Sequence, residues 1–494
     1  MVSFNSIPSD VLVPFVAVEF DNSRAKQGPS ALSFRALLIG QKLAGAPIDA
    51  NTFERVTSAS QVATRAGRGS MLHRQAIAWF AANKSTEVFI GALADDGAGV
   101  AASGTVTFTG NATAAGTANL YVGGERVSVA VAVGDTPTTI AHNLQLAIKA
   151  TAGLTDLGVH ATNASGVLTI TANNKGEVGN EIDIRMNYAP GEALPAGVTV
   201  AIVAMANGAT NPNVTPLLTA LGDTWFHVIA HPYTDATSLA AIETELASRF
   251  GPMRMVDGVA ITAKSDTLNN VAALGVSRNS PHSVIVRTNE SPTPPAEYAA
   301  HVAGVVAYHG QIDPARPLQT LPLPFVKAPA ELGRDTLEMR NTLVKSGIAT
   351  TRVGPGGVVI FDRLVTTYRL NAAGAVDSSY RSIETMLSLM YARFNFRNRI
   401  ATRYPRHKLG NDSARYPAGE AVITPSIGKQ EAVGWFLDMS TKSPAVFDPA
   451  GLAQFKADLV VERNPSDPNR LDFLLPPDLM NQLISVAAQI QFRE

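Results

Sequence analysis

The chain has 494 residues, 46% of them hydrophobic and 16% charged, which suits two to four domains and excludes a disordered or collagen-like polypeptide. Lys and Arg number 40 against 41 Asp and Glu, a net charge of -1, so nucleic acid is a poor first candidate for a partner. The absence of cysteine excludes disulfides, thiolate nucleophiles and cysteine-based zinc sites, and fits a reducing compartment.

The opening Met1–Pro8 has neither the basic start nor the apolar run of a signal peptide. Residues 1–30 read as an arm: Val11 to Phe20 is β-rich and apolar on both faces, and Pro14 suits an edge strand. A buried strand is expected at Phe34–Gly40, a helix at Met71–Ala82 and a short strand at Glu87–Gly91.

Composition shifts near residue 93. Residues 93–210 hold only 9 acidic and 4 basic side chains, and Ala, Gly, Thr, Asn and Val dominate. Strands are expected at 105–109, 126–133, 167–171 and 198–203, with one helix at 138–150, as in a small β-rich module inserted into another domain. The uncharged run between Glu192 and Asp223 is broken by Pro195, Gly197, Pro212 and Pro216, which argues against a membrane helix. A soluble intracellular protein with no membrane insertion is expected.

From 211 onward strands (225–230, 258–263, 282–287) alternate with helices (239–250, 266–274, 296–309), the order of a parallel α/β layer. Its first elements lie at 34–91, so this domain is discontinuous. A Pro-rich link over 314–329 leads to a helix at 334–345, strands within 347–370, a long helix at 379–397, a short one at 430–440 and a strand at 471–475. The last ten residues alternate: Ile484, Val486, Ala488, Ile490 and Phe492 lie on one side, as in a half-buried strand. Each terminal strand either docks on its own sheet or augments a neighbouring copy.

Sites of chemistry are weak. Gly354-Pro355-Gly356-Gly357 lacks the lysine of a phosphate-binding loop and reads as a turn. His227 and His231 share a helical spacing, but Pro232 places them at a strand end, so a structural or solvent-exposed pair is favoured over zinc. No nucleophile elbow occurs. No catalytic, cofactor or metal residues are assigned. The strongest charge signal is 381–416, where eight Arg and Lys, including Arg397, Arg399, Arg403 and Arg406, face only Glu384 and Asp412. It reads as a nucleic-acid stripe, an inter-subunit electrostatic surface or a solvated face.

Val13-Pro14-Phe15-Val16-Ala17-Val18-Glu19 resembles the Val-Pro-Gly-Val-Tyr-x-Glu start of contractile tail sheath proteins, with Phe15 in place of the glycine. Arg403–Leu409, Val461–Pro465, Asp467–Asp472, Leu475–Leu479 and Ala488–Phe492 resemble the sheath of Mu-like contractile bacteriophages. Residues 93–210 resemble β-rich domains inserted in phage tail proteins. The resemblance implies a non-enzymatic subunit of stacked hexameric rings around a tail tube, with the tube protein, baseplate and tail terminator as further partners.

The expected fold class is α/β, a discontinuous multi-domain chain with an α/β core, an inserted β-rich domain and terminal strands exchanged between subunits. Its parts are a linker arm (1–30), a core in two pieces (31–92 and 211–330), an outward-facing insertion (93–210), an inner sheath domain (331–482) and an exchange strand (483–494). Arm exchange is expected to use Val11, Val13, Phe15, Val16, Val18 and Phe20 at one end, and Ile484, Val486, Ala488, Ile490 and Phe492 at the other. The resemblance points to Lys429, Gln430, Trp435 and Lys442 as tube contacts. Arg397, Arg399, Arg403 and Arg406 form a competing tube or inter-ring surface. The alternatives are the sheath of a tailocin or secretion-type injection machine, or an enzyme on the α/β layer.

Overall fold

The computed structural model describes residues 32–150, 156–417 and 419–493. They form two compact units, one of residues 32–391 with 481–493, the other of residues 392–480. The larger unit opens with β1 (Arg35–Gln41), whose Ala36–Ile39 run is fully buried, as a strand covered on both faces requires. β2 (Thr52–Val56), α1 (Ala59–Ala66), α2 (Met71–Ala82) and β3 (Glu87–Leu93) follow. Ser70 caps α2 by accepting from the His73 N–H at 3.1 Å.

The next stretch holds β4 (Ala101–Thr109), β5 (Gly116–Val122), β6 (Glu125–Val131), α3 (Pro137–Ala150), β7 (Val159–Ala164), β8 (Val167–Lys175), β9 (Ile184–Met186) and β10 (Thr199–Ala206). They form a four-stranded antiparallel sheet, β10-β4-β8-β7, and a three-stranded one, β6-β5-β9. Val106, Phe108, Leu120, Val127, Leu144, Leu168 and Ile170 share a core whose described members all lie within residues 102–205. β5 is joined to β6 by Gly123-Gly124, both at positive φ (56° and 79°), a two-residue hairpin turn. That turn is written in the sequence, but the Gly, Thr and Asn of β5 mask the strand before it.

The chain returns through α4 (Thr215–Ala220), β11 (Val228–Ala230), α5 (Ala236–Phe250), β12 (Val259–Lys264), α6 (Leu268–Val276), β13 (Ser283–Arg287) and α7 (Pro295–Ile312). The resulting sheet runs β13-β12-β11-β1-β3-β2, parallel throughout except for β2. β1 lies between β3 and β11, so segments from either side of 94–210 build one sheet. Leu217 of α4 and Ile242 and Leu246 of α5 cover one face with Leu37, Ile39 and Ile229. Helices α2 and α7 lie together against the strands from the other side.

α8 (Leu337–Lys345) and the hairpin β14 (Thr350–Val353)–β15 (Val359–Arg363) follow, joined at the Pro355–Gly357 turn. Ala349 bridges Val286 in parallel, and Leu343 and Ile348 share a core with Leu239, Val271 and Ile285. The division expected at 330/331 is therefore not where the two units part. They part at Tyr391/Ala392, inside α9 (Ile383–Arg403), which starts later and ends later than expected.

The smaller unit holds the end of α9, β16 (Lys408–Leu409), β17 (Val422–Ile423), α10 (Pro425–Thr441), α11 (Leu452–Asp458), β18 (Val460–Arg463) and β19 (Leu471–Leu474). Thr424 caps α10 and Pro425 opens it, a start signal five residues ahead of the expected one. Trp435, Phe436, Phe447 and Phe455 form its aromatic core, with ring centroids 4.6–5.5 Å apart.

Candidate assembly surfaces

The N-terminal arm residues Val11, Val13, Phe15, Val16, Val18 and Phe20 lie outside the described residues. At the other end, residues 483–493 adopt no strand and pair with no described strand. Val486, Ile490 and Phe492 are 78%, 88% and 83% exposed, and Ile484 and Ala488 are exposed as well. Among the described residues the half-buried strand expected here is not formed, and its apolar side is exposed. Only the root is held: the Gln319 amide donates to the Leu483 carbonyl at 2.9 Å, and the Ser382 hydroxyl to Gln482 Oε1 at 3.2 Å.

The β18–β19 hairpin is antiparallel, with Val461 opposite Phe473 and Val460 opposite Leu474. Val461 is buried, whereas Val460 and Leu474 are 42% and 60% exposed. The two strands make up a sheet of their own, so each presents an outer edge without a described partner. Sequence reading assigns no site role to these strands.

The basic run is less basic than its local sequence. Arg399 reaches from α9 to α10, where Nε donates to Glu431 Oε2 and Nη1 to Asp438 Oδ2, both at 2.6 Å. Arg403 Nη1 donates to both Glu431 oxygens, at 3.0 and 2.8 Å, and Tyr404 Oη donates to Oε1 at 3.0 Å. Gly434 makes room for this stitch, since a Cβ there would sit 2.6 Å from Arg399 Nη2. Burial opposes ionisation of Glu431 and Asp438, but hydrogen bonds and charge from Arg399, with Tyr404 and Arg403 at Glu431 and Lys442 at Asp438, hold both carboxyls below their ordinary range. Burial and the bond to Glu431 push the Tyr404 phenol up to about 12.

Two expected contact residues are thereby corrected. Trp435 is 4% exposed, edge-on to Phe396 at 5.2 Å and to Phe447 at 4.8 Å, so it is core. Arg399 is a half-buried structural tie. Lys442 ion-pairs with Asp438 one turn earlier at 2.6 Å. Lys429, Gln430, Arg397 and Arg406 are exposed, as is Leu437 of α10 at 38%. The partners Glu431 and Asp438 lie beyond the 381–416 window, and only their i, i+7 spacing on one helix face hints at a shared ligand.

Residues 207–367 match the phage tail sheath protein central domain. Over 495 residues the chain is 38% identical to the Mu-like prophage FluMu tail sheath protein of Haemophilus influenzae, with 99% of each chain covered. The chain belongs to the tail sheath protein family. Among solved structures, the sheath tail protein of Desulfitobacterium hafniense is similar at 12% identity and a TM-score of 0.47, over 94% of this chain and 100% of that one. The sheath of an extracellular contractile injection system, PVC, in its contracted state is similar at 8% and 0.49, over 98% of each.

The remaining candidates in this sheath protein have structural roles. His227 is buried between Phe34 and Trp225, with ring centroids 4.7 Å away on each side, and its Nδ1 accepts from the Arg35 N–H at 3.0 Å. Burial lowers its pKa to about 3 and that of His231 to about 4, so both are neutral at ordinary pH. The pair is therefore structural and not solvent-exposed. Among the described residues no group of three or more His, Asp or Glu has the geometry to hold a metal ion.

Proposed function

We propose that this tail sheath protein polymerises in stacked hexameric rings around the tail tube and contracts, driving the tube through the host envelope. The observation that carries the reading is full-length similarity, 38% identical, to a tail sheath protein. On this reading the chain is a structural part without enzymatic activity or cofactor. It is assembled in the host cytoplasm and resides in the virion tail. Its partners are copies of itself, the tube protein, the baseplate and the tail terminator, with no nucleic acid and no membrane insertion.

The arms link the lattice. Ile484, Val486, Ala488, Ile490 and Phe492 cover a sheet of a neighbouring copy, and Val11–Phe20 adds to such a sheet. The exposed, unpaired state of 483–493 and the open edges of β18–β19 support this placement and suggest the hairpin as acceptor. Each new main-chain bond contributes about 0.5–1.5 kcal/mol net, and burial of the apolar side adds to it. A strand of that length holds while weaker charged contacts break and re-form. The energy of contraction is then stored at assembly in a two-basin lattice, without ATP. Lys429 and Gln430 on α10, Lys442 at its C-terminal end, and Arg397, Arg403 and Arg406 are the tube-contact or inter-ring candidates left after the two corrections, and the segment 93–210 faces outward.

Electron microscopy of the purified full-length protein tests the reading. Hollow helical tubes or stacked rings are expected; a protein that stays monomeric at high concentration, with or without tube, contradicts it.

A further inference from the structure

We infer that the four-stranded sheet of the 101–206 segment continues from one subunit into the next, β10 of one copy pairing with β7 of its neighbour. This rests on the proposed self-assembly and adds a second lateral contact to the arms.

The inference starts from the sheet edges. In the six-stranded sheet, edge strand β2 carries Glu54 and Arg55, and β13 is continued by the Ala349–Val286 bridge. In the three-stranded sheet, edge strand β6 carries Glu125 and Arg126, and β9 is three residues long. Charge, brevity and cover are the usual protections against edge-to-edge pairing. The β10-β4-β8-β7 sheet lacks charge at both ends. β10 (TVAIVAMA) and β7 (VHATNA) carry no Lys, Arg, Asp, Glu or Pro. On β10, Ile202 is 37% and Val203 62% exposed, on opposite faces of the strand.

The strand count selects the occupant. Every pairing in this sheet is antiparallel and it has four strands, so β10 and β7 run in opposite directions. Subunits that repeat side by side in the same orientation therefore bring β10 of one against β7 of the next as an antiparallel pair. No copy needs to be inverted, and the alternation of the sheet is unbroken. A β10–β10 contact needs a two-fold axis, which a head-to-tail repeat does not have. Neither edge strand carries Lys, Arg, Asp or Glu, so the junction buries no unpaired carboxylate, ammonium or guanidinium.

The absence of cysteine makes the test clean. Val203→Cys is combined in the full-length protein with His160→Cys, Thr162→Cys or Ala164→Cys, the three exposed side chains of β7. Assembly is first verified by microscopy, so that failure to polymerise is told apart from failure to pair. Mild oxidation of the polymer is expected to give a ladder of dimers, trimers and higher species in at least one double variant, lost when Ile202→Lys is added. No ladder from any of the three in intact polymers, or dimers from Val203→Cys alone, overturns the pairing.

Discussion

Val100 and Ala209 exchange both main-chain hydrogen bonds: the Val100 N–H donates to the Ala209 carbonyl at 3.0 Å, and the Ala209 N–H to that of Val100 at 3.1 Å. The two chain crossings between the core sheet and the 101–206 segment are thus neighbours, and a short linker spans them. Replacing 101–208 by a Gly-Ser linker should leave a folded core that still polymerises. A lower melting temperature is expected, because Lys264 loses Glu181 (2.5 Å) and Asp95 loses Asn174 (3.0 Å). Insoluble protein, or a soluble core unable to polymerise, would count against an outward, dispensable module.

Arg74 and Glu297 tie α2 to the start of α7 by two bonds of 2.8 and 2.7 Å, with side chains 8% and 4% exposed. Burial pushes the Glu297 carboxyl up, and Arg74 opposes that shift. Arg74→Met should cost about 3–5 kcal/mol, because it strands a buried charge, whereas Arg74→Met with Glu297→Leu should regain most of it. The single-variant cost should shrink as pH falls, since protonated Glu297 is no longer a charge. Denaturant melts at two pH values measure both effects; equal cost in single and double variants contradicts the assignment.

Glu431 and Asp438 have depressed pKa values in the folded state. Their contribution to stability is therefore present above the unfolded carboxylate value of about 4 and is lost as pH falls through the folded values. Arg399→Met should lower stability by about 1.5–3 kcal/mol at pH 7. It should also flatten the pH dependence below about pH 4. An unchanged acid profile would show that Arg399 is not the tie between α9 and α10.

Lys429→Glu and Arg406→Glu act at exposed positions and should leave the melting temperature within about 1 °C, following the small effect of surface changes. The reversal at the true contact should abolish co-assembly with the tube. If the double reversal still gives tails of normal length, neither residue faces the tube.

Much of the core was legible because its strands are continuous apolar runs and its helices are periodic. Phe34–Gly40, Met71–Ala82 and Gly258–Ala263 each fall within a residue or two of the observed element. β2 is not legible because Glu54 and Arg55 make it look like loop, which is also what protects it as an edge. The Gly, Asn and Thr content of β5 and β7 hides both strands. The contact surface is not legible in a local window, which hides long-range partners: the run around Arg399 looks like unpaired charge because Glu431 lies 32 residues on. Resemblance points to Trp435 as a surface residue, whereas its burial depends on ring neighbours Phe396 and Phe447 from separate segments.

Removing 484–494 should leave the melting temperature of the monomer unchanged, because Val486, Ile490 and Phe492 are already in solvent, yet abolish the lattice. The most direct measurement is a structure of the assembled sheath, traced to show which chain each terminal strand pairs with. Main-chain bonds from Ile484–Phe492 to a strand of a neighbouring subunit are expected, with Val11–Phe20 likewise added to a neighbour's sheet. Both arms bonded only within their own subunit would contradict it.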